Sequence, residues 1–224
     1  MRLVFAGTPQ VAADTLAHLL ERGRHEVAAV LTRPDAPKGR SSRLVPSPVA
    51  ELALDQGIEV LRPLRAGDPE LASRLAELAP DCCPVVAYGG LIPRALLSRP
   101  RCGWVNVHFS LLPRWRGAAP VQHAILAGDE VTGVTVFELV EALDAGPVLA
   151  TTEYHLGPEE TAGEALAALQ ARGADLLSDT LDALESGTVS ATPQPADGIT
   201  LAPKLTVGGA RIAWTRPAAE IARQ

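Results

Sequence analysis

Short apolar runs alternate along this chain with longer stretches in which apolar residues return every third or fourth position. Arg2 to Ala6 is one such run, closed by Gly7-Thr8-Pro9, and Val11, Ala12, Leu16, Leu19 and Leu20 then mark one face of a helix up to Gly23. Glu26 to Thr32 repeats the strand pattern, Pro48 to Gln56 the helical one, and Glu59 to Leu61 supplies a third short strand. Pro69 to Leu78 reads as a helix capped by Asp68, with proline at its first position and Leu71, Leu75 and Leu78 on one face. Cys82 to Tyr88 carries no charge, as a strand buried on both faces requires, and Gly89-Gly90 ends it.

Trp104 to His108 is the next predicted strand and Ala119 to Leu126 the next helix. Gly133 to Val140 and Val148 to Tyr154 flank Glu-Ala-Leu-Asp-Ala-Gly, a loop carrying Asp144. A long amphipathic helix follows from Thr161 to about Leu184, with Leu166, Leu169, Leu176 and Leu177 facing inward. Strands alternating with helices predict an α/β fold: a Rossmann-like, doubly wound, mostly parallel sheet with helices on both faces. Past Ser186 the chain becomes rich in Ser, Thr, Pro and Gly. This predicts one domain over residues 1–187, a linker over 188–209, and the start of a further domain over 210–224, with a strand at Ala210 to Trp214 and the first turns of a helix from Pro217 to Arg223.

With 224 residues and 47% apolar content, the chain can bury a sizeable core. No apolar run approaches the roughly 18 residues of a membrane span, and the start is too short for a signal-peptide core, so a cytoplasmic protein is expected. Cys82, Cys83 and Cys102 lack metal-ligand spacing and read as reduced core thiols. The first strand is not followed by Gly-x-Gly-x-x-Gly or a phosphate loop, which excludes a nucleotide-dependent dehydrogenase or kinase. The net charge of -6 is uneven: residues 82–128 hold Arg94, Arg99, Arg101, Arg114 and Arg116 without a carboxylate, whereas residues 129–186 hold thirteen carboxylates and only Arg172. A second acid-free stretch, residues 36–50, carries Lys38, Arg40 and Arg43. Either two solvated faces of opposite sign or a basic rim meeting a polyanion would produce this distribution.

Candidate chemistry gathers between Trp104 and Pro120. Asn106 and His108 stand two apart in a strand, so both leave it on one face, and Ser110, Pro113, Gly117 and Pro120 then break the pattern. That places the pair at the carboxyl end of the strand, where ligands bind in open α/β sheets. With Asp144, they supply what acyl transfer to an amine needs: an oxyanion donor, a proton acceptor, and a group that orients the imidazole and stabilises its cation. A nucleophile elbow of the Gly-x-Ser-x-Gly type is absent, which favours direct attack by an external amine over an acyl-enzyme.

The run Asn-Val-His-Phe-Ser-Leu-Leu-Pro-Arg-Trp-Arg-Gly-Ala-Ala-Pro-Val-Gln closely resembles the signature of the folate-dependent formyltransferases, and its Trp-Arg-Gly-Ala-Ala-Pro part that of the methionyl-tRNA formyltransferases among them. Val-Phe-Ala-Gly-Thr-Pro at 4–9, the basic segment 33–49 and Val-Val-Ala-Tyr-Gly at 85–89 resemble three further segments of that family. The resemblance implies that 10-formyl-tetrahydrofolate donates a formyl group to the α-amine of initiator methionyl-tRNA without a metal. Asn106 would polarise the formyl oxygen, His108 would relay a proton, and Asp144 would orient and stabilise His108. Tyr88, Gly89, Leu91 and Ile92 would line the folate pocket, with Ser110, Leu111, Leu112 and Pro113 shaping the opposite wall. Lys38, Arg40 and Arg43 would lie on a basic loop that inserts at the tRNA acceptor end. The resemblance also implies a second, OB-type domain that helps hold tRNA, of which residues 210–224 would be the beginning, and a monomer without membrane contact. Phe109 departs from the family, which often has glycine there, and could narrow the pocket or only alter its wall. Two other readings remain open: a formyltransferase acting on a small amine such as a nucleotide sugar, and a folate-binding or hydrolytic fragment.

Overall fold

The computed structural model describes residues 1–37, 39, 42–65 and 67–224. Its frame is a seven-stranded sheet made of β1 (Arg2–Gly7), β2 (Glu26–Leu31), β3 (Glu59–Leu61), β4 (Cys83–Val86), β5 (Trp104–His108), β6 (Val131–Glu138) and β7 (Val148–His155). The spatial order is β7-β6-β5-β4-β1-β2-β3. From β3 to β5 all pairings are parallel; β6 runs antiparallel to both β5 and β7. The expected mostly parallel, doubly wound fold is what forms.

The helices are α1 (Gln10–Arg22), α2 (Pro48–Asp55), α3 (Pro69–Leu78), α4 (Arg94–Leu97), α5 (Pro120–Ala127), α6 (Ala162–Ser186) and α7 (Ala218–Ala222). Alternation within the strands divides the core in two. Leu3 and Phe5 of β1, Val105 and Val107 of β5, and Val134 and Val136 of β6 pack with Leu16 of α1, Val49 of α2 and Leu169 and Leu177 of α6. Val4, Ala6, Cys83, Val85 and Trp104 face the other way, onto Leu71, Leu75 and Leu78 of α3 and Leu96 of α4. In this second layer the Trp104 indole nitrogen donates to the Leu96 carbonyl at 2.8 Å. By parity, Asn106 and His108 share the Trp104 side of β5.

Several elements have local causes. Gly23 adopts a left-handed conformation (φ 60°) that ends α1, and Thr161 with Glu164 forms a reciprocal capping box that starts α6. Gly173 lies inside α6 where it crosses the sheet. A Cβ there would stand 3.1 Å from a Val107 methyl and 3.5 Å from the Phe109 ring, so glycine is what admits this close approach. Phe109 accordingly packs in the α6 layer, 8% exposed, and from there contributes to the cavity wall.

Two expectations need correction. Asp68 occupies the N-cap position of α3, but its side chain makes no cap hydrogen bond; it accepts instead from the backbone N–H of Arg65 at 3.2 Å. Ala210 to Trp214 is not a strand. Ala210 closes the turn at residues 207–210, no strand among the described residues pairs with the segment, and Trp214 is 78% exposed. Three arginines of the acid-free stretch 82–128 meet carboxylates: Arg94 meets Glu141, Arg101 meets Asp81, and Arg114 meets Asp129.

The segment expected to be a linker touches the domain at defined points. Thr192 and Val148 exchange backbone hydrogen bonds at 2.8 Å, and Leu201–Ala202 forms a two-residue parallel ladder with Arg116–Gly117. Ala36–Pro37 and Leu44–Val45 pair antiparallel at the base of the basic segment.

Candidate active site

The carboxyl end of β5 and the two segments folded over it form the site. Asn106 is half-buried and His108 is 5% exposed, and both line a cavity of about 460 Å³. This volume is in the range of small-molecule sites, and the cavity stands at the carboxyl ends of β4 and β5. The carboxamide of Asn106 makes no hydrogen bond to any described residue, which leaves its N–H groups available to a ligand.

His108 is held by contacts on both ring nitrogens and one ring edge. Its Nε2 stands 2.8 Å from the Trp115 carbonyl. A carbonyl only accepts, so Nε2 carries the hydrogen and donates, and the lone pair of the neutral ring is on Nδ1. Nδ1 faces Asp144 Oδ2 at 3.9 Å, beyond hydrogen-bond length but within strong electrostatic reach. Phe137 supports the ring edge-on with centroids 6.3 Å apart. Burial pushes the His108 pKa below its ordinary value and outweighs the nearby Asp144 carboxylate and the Trp115 hydrogen bond, both of which raise it. The ring is therefore a neutral base near pH 7, and a proton taken up at Nδ1 would face a carboxylate.

Trp115 presents its carbonyl through a left-handed backbone conformation (φ 60°) that surrounding contacts over-determine. Its N–H donates to Thr200 Oγ1 at 2.8 Å, its indole nitrogen donates to Asp129 at 2.7 Å, and its ring stacks on His123. The turn leading to it is equally fixed. Ser110 Oγ donates to the Arg114 carbonyl, while Thr135 Oγ1 donates to the Ser110 carbonyl and accepts from Leu112 N–H.

Asp144 reaches the site from the loop after β6. Its φ is 46°, and its Oδ2 accepts from Gly117 N–H at 2.8 Å. Two residues on, a Cβ at Gly146 would stand 1.7 Å from the Glu138 carbonyl oxygen, so only glycine lets this loop close against β6. Gly146→Ala is expected to displace Asp144 and lower kcat by about 100-fold, on the rule that a misplacement of about 1 Å can cost that much. Turnover measured beside far-UV circular dichroism checks this: retained secondary structure with lost turnover is the expected pair.

The other sequence-predicted residues divide. Tyr88, Gly89, Leu91 and Ile92 line the cavity, with Leu91 82% exposed at its mouth. Burial raises the Tyr88 pKa, and its ring packs in the α3 layer. Ser110, Leu111, Leu112 and Pro113 are not in the cavity wall; they form the turn that returns Trp115 to His108, and Leu111 packs against Gly133. Arg43 is exposed beside the Ala36–Pro37 and Leu44–Val45 pair, while Lys38 and Arg40 lie outside the described residues. Sequence reasoning missed Trp115 and Gly117, which hold His108 and Asp144, and Gln194, which donates to the carbonyls of Asp144 and Gly146. Trp115 and Gly117 stood inside the recognised motif, whereas Gln194 had no local signal in its Pro-rich surroundings.

A carboxamide and a neutral imidazole at a sheet end, with a carboxylate behind them, suit transfer of a small acyl group, and the comparisons give the same class. The chain belongs to the formyl transferase family, whose sequence model matches residues 1–181. The methionyl-tRNA formyltransferase of Streptomyces coelicolor is 59% identical over 223 residues, spanning all of this chain and 72% of that protein. Among solved structures, the phosphoribosylglycinamide formyltransferase of Bacillus halodurans is 26% identical with a TM-score of 0.71, over 83% of this chain and 96% of that one. An N-formyltransferase of Helicobacter canadensis, in complex with folinic acid and dTDP-3-aminofucose, has a TM-score of 0.75 over 99% of this chain and 78% of its own; at 17% identity it speaks for the fold alone.

Proposed function

We propose that this chain transfers the formyl group of 10-formyl-tetrahydrofolate to the α-amine of methionyl initiator tRNA. The observation that carries the reading is the convergence of Asn106, His108 and Asp144 on one cavity, in a chain 59% identical throughout to a methionyl-tRNA formyltransferase.

In this reading the donor occupies the cavity between the Tyr88 to Ile92 segment and the Asp144 loop, with its formyl group against Asn106. The methionyl amine attacks the formyl carbon, and the Asn106 carboxamide donates to the oxygen as negative charge develops there. His108 Nδ1 accepts the amine proton, and the imidazolium is stabilised by Asp144 on one side and by the Trp115 carbonyl on the other. As the bond from the formyl carbon to the folate nitrogen breaks, that nitrogen recovers the proton. No covalent bond to the protein forms.

The hairpin carrying Arg43, together with Lys38 and Arg40, is proposed to meet the acceptor end of the tRNA through phosphate contacts. No helix among the described residues is long and apolar enough to cross a membrane, and a cytoplasmic reaction, beside the rest of translation, is part of the proposal. The nucleotide-sugar reading draws only on neighbours of low identity. Offering the chain methionyl initiator tRNA, glycinamide ribonucleotide and a dTDP-amino sugar in parallel with one formyl donor tests the assignment. Formylation of the tRNA alone is expected, and formylation of the sugar or the ribonucleotide in its place would refute it.

A further inference from the structure

Gln194 uses its whole side-chain amide on two segments beside the cavity. Its Nε2 donates to the carbonyls of Asp144 and Gly146, both at 2.8 Å. Its Oε1 accepts from Arg116 Nε at 3.1 Å and from an Arg116 terminal nitrogen at 2.6 Å. It is half-buried amid neighbours that are mostly exposed. One side chain thus ties the loop that carries Asp144 to the segment Arg116–Gly117, whose Gly117 N–H holds the Asp144 carboxylate. Asp144 and Trp115, the two residues that face the nitrogens of His108, both have positive φ and need external restraint.

We propose that Gln194 is a positioning residue for formyl transfer, acting through Asp144, and that the segment around it is part of the site. The inference rests on the reading that Asn106, His108 and Asp144 form the reacting centre. The amide is specifically required: two N–H donors serve two carbonyls while the oxygen serves a guanidinium. A carboxylate at this position would keep Arg116 but present lone pairs to the Asp144 and Gly146 carbonyls. Losing the clamp frees the Asp144 loop, so the carboxylate no longer stands where it raises the His108 pKa.

The test is steady-state formyl transfer to methionyl initiator tRNA as a function of pH, with Gln194→Met, Gln194→Glu, Asp144→Asn and the double variant Asp144→Asn/Gln194→Met. Each single Gln194 variant is expected to lower kcat by about 10- to 100-fold with the KM for the formyl donor little changed. The limb of the pH profile that belongs to His108 is expected to move to lower pH in Gln194→Met, in the same direction as in Asp144→Asn. The double variant is expected to be no slower than Asp144→Asn, because the two changes remove one function. Full activity in Gln194→Glu would mean that only the Arg116 contact matters and would overturn the proposal. Effects that multiply in the double variant, or an unmoved pH limb in Gln194→Met, would also overturn it. Full activity in Asp144→Asn would instead refute the assignment of the reacting centre, an outcome distinct from failure of the clamp alone.

Discussion

Replacing His108 with alanine is expected to lower kcat for formyl transfer by about 100- to 10,000-fold, the span that a positioned general base contributes. The ring is buried, and its orientation is fixed by the Trp115 carbonyl, so solvent cannot take its place in the same geometry. The pH profile of the intact chain provides a second readout. Burial holds the His108 pKa below its ordinary value near 6.5, so the neutral base persists through neutral pH and activity should fall only as the medium becomes more acid than that. A limb assigned to His108 that lay above pH 7 would contradict the neutral-base account. Binding of a non-reactive formyl-folate to His108→Ala should be close to that of the intact chain, since the loss falls on proton transfer.

Asn106→Ala is the second large effect. Its carboxamide lines the cavity without a hydrogen bond to the described protein, so its N–H groups can serve charge that appears only during the reaction. Removing a donor of that kind typically costs about 100- to 1,000-fold in kcat. Stability should change little, because the side chain is half-buried and supports no other element. Kinetics compared with thermal unfolding separates the two: a kcat loss at an unchanged melting temperature is expected, and a loss confined to KM would assign Asn106 to ground-state binding instead.

What could be read in the sequence follows from how local its causes are. The frame was legible because strands such as Cys83–Val86 are continuously apolar and helices such as Pro69–Leu78 repeat leucine at helical spacing, signals each element carries within itself. Asn106 and His108 were legible from parity in one strand, and Asp144 from the chemistry they lack together with the family resemblance. The role of Ser110 to Pro113 was less legible, because Thr135, whose hydroxyl holds their turn, lies 23 to 25 positions away. Gln194 was the least accessible: its partners at Arg116, Asp144 and Gly146 lie 48 to 78 positions away. The strand expected at Ala210 to Trp214 failed for the converse reason, since apolar alternation makes a strand only where a neighbouring strand pairs with it.

The most direct measurement is single-turnover transfer from a formyl donor labelled in its formyl carbon, with methionyl initiator tRNA as acceptor and quenched samples resolved into protein, tRNA and small molecules. The account predicts that label leaves the donor and appears on the methionyl amine at the same rate, with none on the protein at any time. Label accumulating on the protein, or released as formate while the tRNA stays unlabelled, would contradict direct transfer by this chain.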